Sequence, residues 1–480
     1  MGGSVMLHSS QELDLVFGPD SSGSDPLTRA LSSTKRFVRS QTQVAEWRPE
    51  AKGLELTPAQ ALHAFDYDVL LRVARDGSAQ LIPSRTEPAR TIEERRKELG
   101  LTAKQIARMI DLPEASVVKA ETVGKVSPIR DLMRIAEALA LDEQVLSYLP
   151  NARGDSELGV RLRTLSSERH AGPGFSPSIV LKLTEAAWVI SRQSELARLL
   201  GVAPEVTNES YSDDYHGPVW QRGYELAAQT RTMLSIDDEA PIENVRKIVA
   251  RFGLPLIETA FGTRFAGATI ANADVRGIVA NTEGSNSNVW VRRMTICHEL
   301  GHLLWDPPSR LGKLKVDTYM ELQTPGGDPV EARANAFAIA FLAPPRAVAR
   351  ILDDLSDKAT MVAVVMDRFG IGPGAAKHHL ANVSREHLHR EIDFMTVSGR
   401  LLPEPSDEWN AREDWTNAFY PIASVPDTRR GAFAALAVLA MERGLVSADT
   451  VSEWLRIAPE EVAAQRDNIV SLGEVALSRP

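Results

Sequence analysis

Apolar positions recur at helical spacing through much of this chain. Leu62, Phe65, Val69 and Val73 mark a helix over residues 57–75 that stops at Asp76-Gly77. A hairpin turning on the same Asp-Gly, pairing residues 69–73 with 80–82, is the alternative. Four or five short helices with tight joints follow over residues 91–149. Further helical patterns cover 179–200, 220–234 and 241–252, and residues 254–258 and 277–281 read as short strands. Near the end, Phe433, Leu436, Leu439 and Ala440 share one helical face, and that helix ends at Gly444. The first 36 residues are rich in Ser, Gly and Asp with few apolar anchors, which predicts a mobile leader.

Composition narrows the function classes. At 480 residues the chain has room for three or four domains. It is 43% hydrophobic and 25% charged, like an ordinary globular protein. A net charge of -10 argues against coating nucleic acid or an anionic membrane by bulk electrostatics. The single cysteine, Cys297, allows no internal disulfide and fits a reducing compartment. No apolar run is long enough to span a bilayer and no secretory signal opens the chain, so a cytoplasmic location is expected.

The chemistry concentrates at His298-Glu299-Leu300-Gly301-His302. Residues i and i+4 share a helix face, so both histidines can bind one ion, with zinc the expected metal. Glu299, just after the first histidine, would sit beside the water at the open position, take its proton and pass it to the leaving amine. Chance alone yields such a motif in on the order of one chain in a hundred of this composition. Met294, Ile296, Cys297, Leu300, Leu303 and Leu304 cover the remaining faces, so the helix should be buried nearly all round. Two histidines and a carboxylate would be costly there without a common partner.

A third ligand six residues past the second histidine is excluded, because that position is Pro308. Glu331, in Asp328-Pro329-Val330-Glu331, is the best candidate from a later helix. The same four residues also read as a capping box with proline at the first helical position. Spacing leaves ligand and cap open, and Asp306, Asp317, Glu321 and Asp328 compete for the role.

Several segments together resemble the ImmA/IrrE family of zinc metallopeptidases. They are Asn281, residues 292–304 around the motif, Glu331 with Ala334-Asn335, Phe337-Ala338 and Leu342-Ala343-Pro344. Gly223-Tyr224-Glu225-Leu226-Ala227 and Pro241-Ile242 resemble its lead-in, so the likeness spans roughly residues 220–385. The resemblance implies that Glu331 is the third zinc ligand and that the substrate is a helix-turn-helix repressor cut at few places. Such cleavage would release stress or mobile-element genes. No chemistry is assigned to Arg333 or Asn335.

Residues 91–150 resemble a phage-repressor (XRE-like) helix-turn-helix. Residues 101–112 would form its second helix and turn, 113–121 the recognition helix and 129–141 the closing helix. Several features depart from the pattern. Asp111 stands where glycine is usual, Ala103 replaces a polar phosphate contact, and the recognition helix opens on Pro113-Glu114. Nine Lys or Arg against ten Asp or Glu leave this module a net charge of -1, poor for counterion release. Lys104, Ser116, Lys119 and Lys125 are the residues expected to meet double-stranded DNA, if the module binds it.

Smaller signals remain. Residues 368–380 resemble a second helix-turn-helix-like unit. His378, His379, His387 and His389 fall within 12 residues, as a second metal site or an exposed helix and loop. Cys297 sits beside a candidate ligand and could in principle sense oxidants, although most buried lone cysteines are inert. The C-terminal helical face could serve packing or a homodimer.

The expected fold is α+β and mostly helical. A zincin-like peptidase core would combine the HExxH helix, a glutamate helix and a small sheet, with a repressor-like helix-turn-helix and a helical C-terminal region. The expected divisions are a leader (1–36), a small helical segment (37–90), the helix-turn-helix (91–150) and a helical linker (151–215). The peptidase core (216–350), a helical unit (351–392) and the C-terminal region (393–480) complete it. The expected function is zinc-dependent limited proteolysis of a repressor-type protein, with no membrane partner. The alternative is a DNA-binding regulator whose zincin domain senses or docks without cleaving.

Overall fold

Short strands of three or four residues, too brief to signal themselves, build the first sheet. The computed structural model describes residues 9–48, 50–150, 152, 158, 176–206, 217–271, 275–311, 315–319, 328–416 and 418–475. These divide into two compact units, Met1–Val202 with Pro421–Val475, and Ala203–Tyr420.

In the first unit, strands β1 (Phe37–Ser40), β2 (Gln43–Glu46), β3 (Leu54–Leu56) and β4 (Ser78–Gln80) form an antiparallel sheet in the order β3-β1-β2-β4. Helix Pro58–Asp76 packs on it through Phe65, Val69, Leu70 and Val73. Thr57 caps its start and Gly77, at φ 78°, its end. The helical alternative therefore holds over 69–73, and Gln80 pairs with Gln43 instead.

Two expectations are corrected here. Residues 1–36 are not wholly a mobile leader. Helices Ser10–Phe17 and Pro26–Ser32 bury Leu13, Val16, Phe17 and Ala30 in the same core. Leu13, Val16 and Phe17 stand at i, i+3 and i+4, so one short helix gathers all three anchors onto one face. Nor is 37–90 a purely helical segment, because it supplies the whole sheet.

Helices Ala89–Glu98, Ala103–Met109, Glu114–Ala120 and Ile129–Ala138 follow. Thr102 and Gln105 form a reciprocal capping box at the second of these. Asp111 takes φ 52°, the left-handed conformation that explains why glycine suits this turn. The expected linker falls partly outside the described residues, but Pro177–Leu199 is one long helix.

The C-terminal region is not a single segment. Residues 421–475 pack in the first unit, where Arg429 is buried between Glu137 and Glu185 at 3.0 and 2.9 Å. Residues 393–420 belong to the second unit, where Glu413 pairs with buried Arg293.

The second unit is built on strands β5 (Leu256–Thr259), β6 (Phe265–Ala271), β7 (Arg276–Asn281) and β8 (Lys315–Thr318), ordered β5-β7-β6-β8. β5 and β7 run parallel; β6 is antiparallel to β7 and β8. Every residue of β6 is buried, so it lacks the alternation that would have announced it. The motif helix Val289–Trp305 packs on this sheet, and the glutamate helix Pro329–Leu342 packs on the motif helix. Helix Val219–Met233 lies against the glutamate helix. A Cβ on Gly223 would come within 2.5 Å of the Arg333 carbonyl oxygen, so glycine permits that close approach. Among the described residues no helix is long and apolar enough to cross a membrane.

Candidate metal centre

The motif helix starts at Asn288, whose side chain accepts from the backbone of Trp290 and Val291, and ends at Asp306. His298, Glu299 and His302 are all buried on it. Asp328 caps the glutamate helix, accepting from Val330 N at 2.9 Å, with Pro329 at the first position. Cap and candidate ligand are therefore different residues. Asp328 takes the cap, and the Glu331 carboxylate faces the histidines, at 3.3 Å from His298 Nε2 and 3.5 Å from His302 Nε2.

Asp317, on β8, completes the group. Its Oδ2 lies 3.8 Å from His298 Nε2. The donor atoms of His298, His302, Asp317 and Glu331 all lie within 4.8 Å of one another, and all four residues are buried. This is the one such convergence of His, Cys, Asp and Glu among the described residues. Two ligands about 2.0 Å from a tetrahedral ion stand roughly 3.3 Å apart, so these separations suit a small divalent cation.

The outer hydrogen bonds set the tautomers. His302 Nδ1 meets Asp306 Oδ2 at 2.9 Å, and His298 Nδ1 meets Asn335 Oδ1 at 2.9 Å. Both partners accept, so both Nδ1 atoms donate, and in the neutral rings the Nε2 atoms are left to present lone pairs. Those Nε2 atoms stand 2.9 Å apart. Two lone pairs facing at that distance, with two carboxylates beside them, are complementary to a shared cation. The donor set of two imidazoles and two carboxylates therefore fits zinc or a similar metal.

Asp306 is anchored in turn by Arg333 and by Arg310 Nε at 3.4 Å. Burial alone would raise its pKa, but the His302 hydrogen bond and charge, with those two arginines, hold its carboxyl below the usual range. Asp306 thus orients a histidine from the outer shell. Arg310 also reaches Glu331 Oε1 at 3.1 Å and Asp328 Oδ2 at 2.8 Å. Of the other competitors, Glu321 lies outside the described residues.

Glu299 is held from the sheet. Thr269 Oγ1 on β6 donates to its Oε2 at 2.6 Å. A Cβ on Gly267 would stand 2.6 Å from its Oε1, so the missing side chain makes room for the carboxylate. Thr269, Gly267, Asn335 and Arg333 were not assigned a part from sequence. Only Asn335 and Arg333, inside the glutamate-helix motif, carried any local signal.

The remaining candidates separate. His379 is buried, taking a hydrogen bond from Tyr224 Oη at Nδ1 (2.6 Å) and meeting the Ala343 carbonyl through Nε2 (2.7 Å). His378, His387 and His389 are exposed, so the four histidines share no metal site. Burial pushes the Cys297 thiol up to about 12, the reverse of a reactive thiolate, which agrees with an inert buried cysteine rather than an oxidant sensor. In the first unit, Lys104, Lys119 and Lys125 are exposed and Ser116 is half-buried. Val118, Val123 and Val126 are exposed along the same helix and following loop, at 49%, 56% and 57%.

Residues 285–381 match the family model for the IrrE N-terminal-like domain of the M78 peptidases. That span holds the motif helix, β8, the glutamate helix and the helices to residue 381. The match supports the ImmA/IrrE likeness and metallopeptidase chemistry. No curated protein matches the chain.

Proposed function

We propose that this chain is a zinc-dependent endopeptidase that makes limited cuts in a regulatory, repressor-type protein. His298, His302 and Glu331 would hold the metal and Glu299 would act as general base. The observation that carries this reading is the pair of imidazoles, each held at Nδ1 by an accepting side chain, that turn their Nε2 atoms together at 2.9 Å beside Glu331. A bound divalent metal would act as a Lewis acid towards a peptide carbonyl and make water acidic. Glu299, fixed by Thr269, would accept a proton at its carboxylate and return it to the leaving amine.

The four helices of residues 89–138 support the repressor-like module and, with it, a regulatory substrate. A second reading of that module is favoured by a specific observation. Val118 on the helix that would enter a groove, with Val123 and Val126 in the loop after it, exposes apolar surface, and Glu114 opens that helix. Such a face suits a protein partner better than a phosphate backbone.

The test is incubation with the repressor encoded beside the gene, with and without chelator, read by intact mass. Discrete fragments that vanish with chelator and with Glu299→Gln are expected. Cleavage untouched by Glu299→Gln would overturn the assignment. Anisotropy with upstream DNA separates the module's two readings, because salt-dependent binding lost on Lys119→Ala would favour DNA.

A further inference from the structure

The fourth donor has no place in a site that must leave one position open. Catalytic zinc sites use three protein ligands, and structural ones close with four. Here two histidines, Glu331 and Asp317 converge, all buried. The spacing is graded: His298 Nε2 stands 2.9 Å from His302, 3.3 Å from Glu331 and 3.8 Å from Asp317. Asp317 is therefore the outermost donor.

The strand that delivers Asp317 is itself unusual in position. β8 is four residues long and, among the described residues, terminates the sheet with β6 as its one partner. It covers Phe265–Thr269 of β6, the stretch carrying both Gly267 and Thr269 that seat Glu299. Asp317 is the register partner of Gly267. An extended peptide recognised by strand addition pairs with a sheet edge. The edge nearest the general base is already taken by this chain's own β8.

Resting on the metallopeptidase reading, we propose that Asp317 is a displaceable fourth ligand that closes the metal centre at rest. β8 would occupy the place of a substrate strand along β6. An extended segment of a protein substrate then competes with β8 for that edge, and β8 withdraws Asp317 as it leaves. The site is latent by construction, which suits a peptidase that must spare most cellular proteins.

The test uses the full chain loaded with Co2+, with acetohydroxamate as the probe for an open position. Asp317→Ala should bind the hydroxamate about tenfold more tightly than wild type, read by visible absorption. It should hold Co2+ about tenfold more weakly in competition with a chelator. Asp317→Asn, nearly isosteric, repeats the measurement should alanine disturb the fold, which near-ultraviolet circular dichroism reports. Water-proton relaxation on the wild-type chain needs no variant, and little exchangeable water at the Co2+ is expected. A strong water signal in the wild type overturns the proposal. So does a hydroxamate and metal affinity within about twofold of wild type in both Asp317 variants. If those results accompany loss of metal in His302→Ala, the metallopeptidase reading stands and only the fourth ligand fails. Undiminished metal binding in His302→Ala would instead remove the metal site itself.

Discussion

Asn335 Oδ1 stands 2.9 Å from His298 Nδ1, and that contact decides which nitrogen of the histidine faces the metal position. The amide lies one turn beyond Glu331 on the same helix, so the proposed ligand and the orienting group arrive together. Replacing it with leucine, of similar size at a half-buried helical position, should leave the fold intact. Metal affinity should fall about 10- to 100-fold, as it does when outer-shell partners are lost. Chelator competition measures this. An unchanged affinity would mean the amide does not set the ring.

Gly267→Ala tests the seat of Glu299, the proposed general base. The added Cβ would need to sit 2.6 Å from Glu299 Oε1 and 2.9 Å from Thr295 Cγ2, so the carboxylate must shift. Cleavage should drop by about a hundredfold, the cost of roughly an ångström of misplacement. Metal content, measured by emission spectrometry, should stay at the wild-type level.

His379 ties stability to pH. Burial lowers it to about 4, opposed by its bond to the Ala343 carbonyl and aided by nearby His387. Neutral when folded, it binds a proton more readily when unfolded, so its contribution is complete above about pH 6.5. That contribution declines as pH falls from about 6.5 to about 4, by on the order of 3 kcal/mol. Urea unfolding of wild type across this window should show the slope, and His379→Gln should flatten it.

Arg429 is the keystone of a buried charge network in the first unit. It meets Glu137 Oε2 at 3.0 Å and Glu185 Oε1 at 2.9 Å, and Glu137 is shared with Arg456 at 2.6 Å. Arg429→Met would strand buried carboxylate and should destabilise by about 3–5 kcal/mol. A Glu185→Gln change added to it should recover part of that loss in the same unfolding assay.

Cys297 should resist alkylation in the folded chain and react fully only in denaturant. Its thiol is buried and held up to about 12. Rapid native modification by iodoacetamide would contradict the burial.

What the sequence determined by itself was local. The i, i+4 histidines with Glu299 between them and the long helix ending at Gly77 each depend on neighbours within one or two turns. The resemblance to a metallopeptidase family drew on the same kind of signal, in segments around two helices. The tertiary structure decided what depends on distant elements meeting. It separated Asp328 as cap from Glu331 at the histidines, and it brought Asp317 to them on a strand with no alternating pattern. It turned Asp306 from competitor into an orienting partner held by Arg333. It drew Leu13, Val16 and Phe17 out of a polar leader into a core, and it divided the C-terminal region between two units. Spacing along a chain reports which residues share a helix face. The carboxylate that meets an imidazole from another strand is chosen by packing, and packing is set by every element at once.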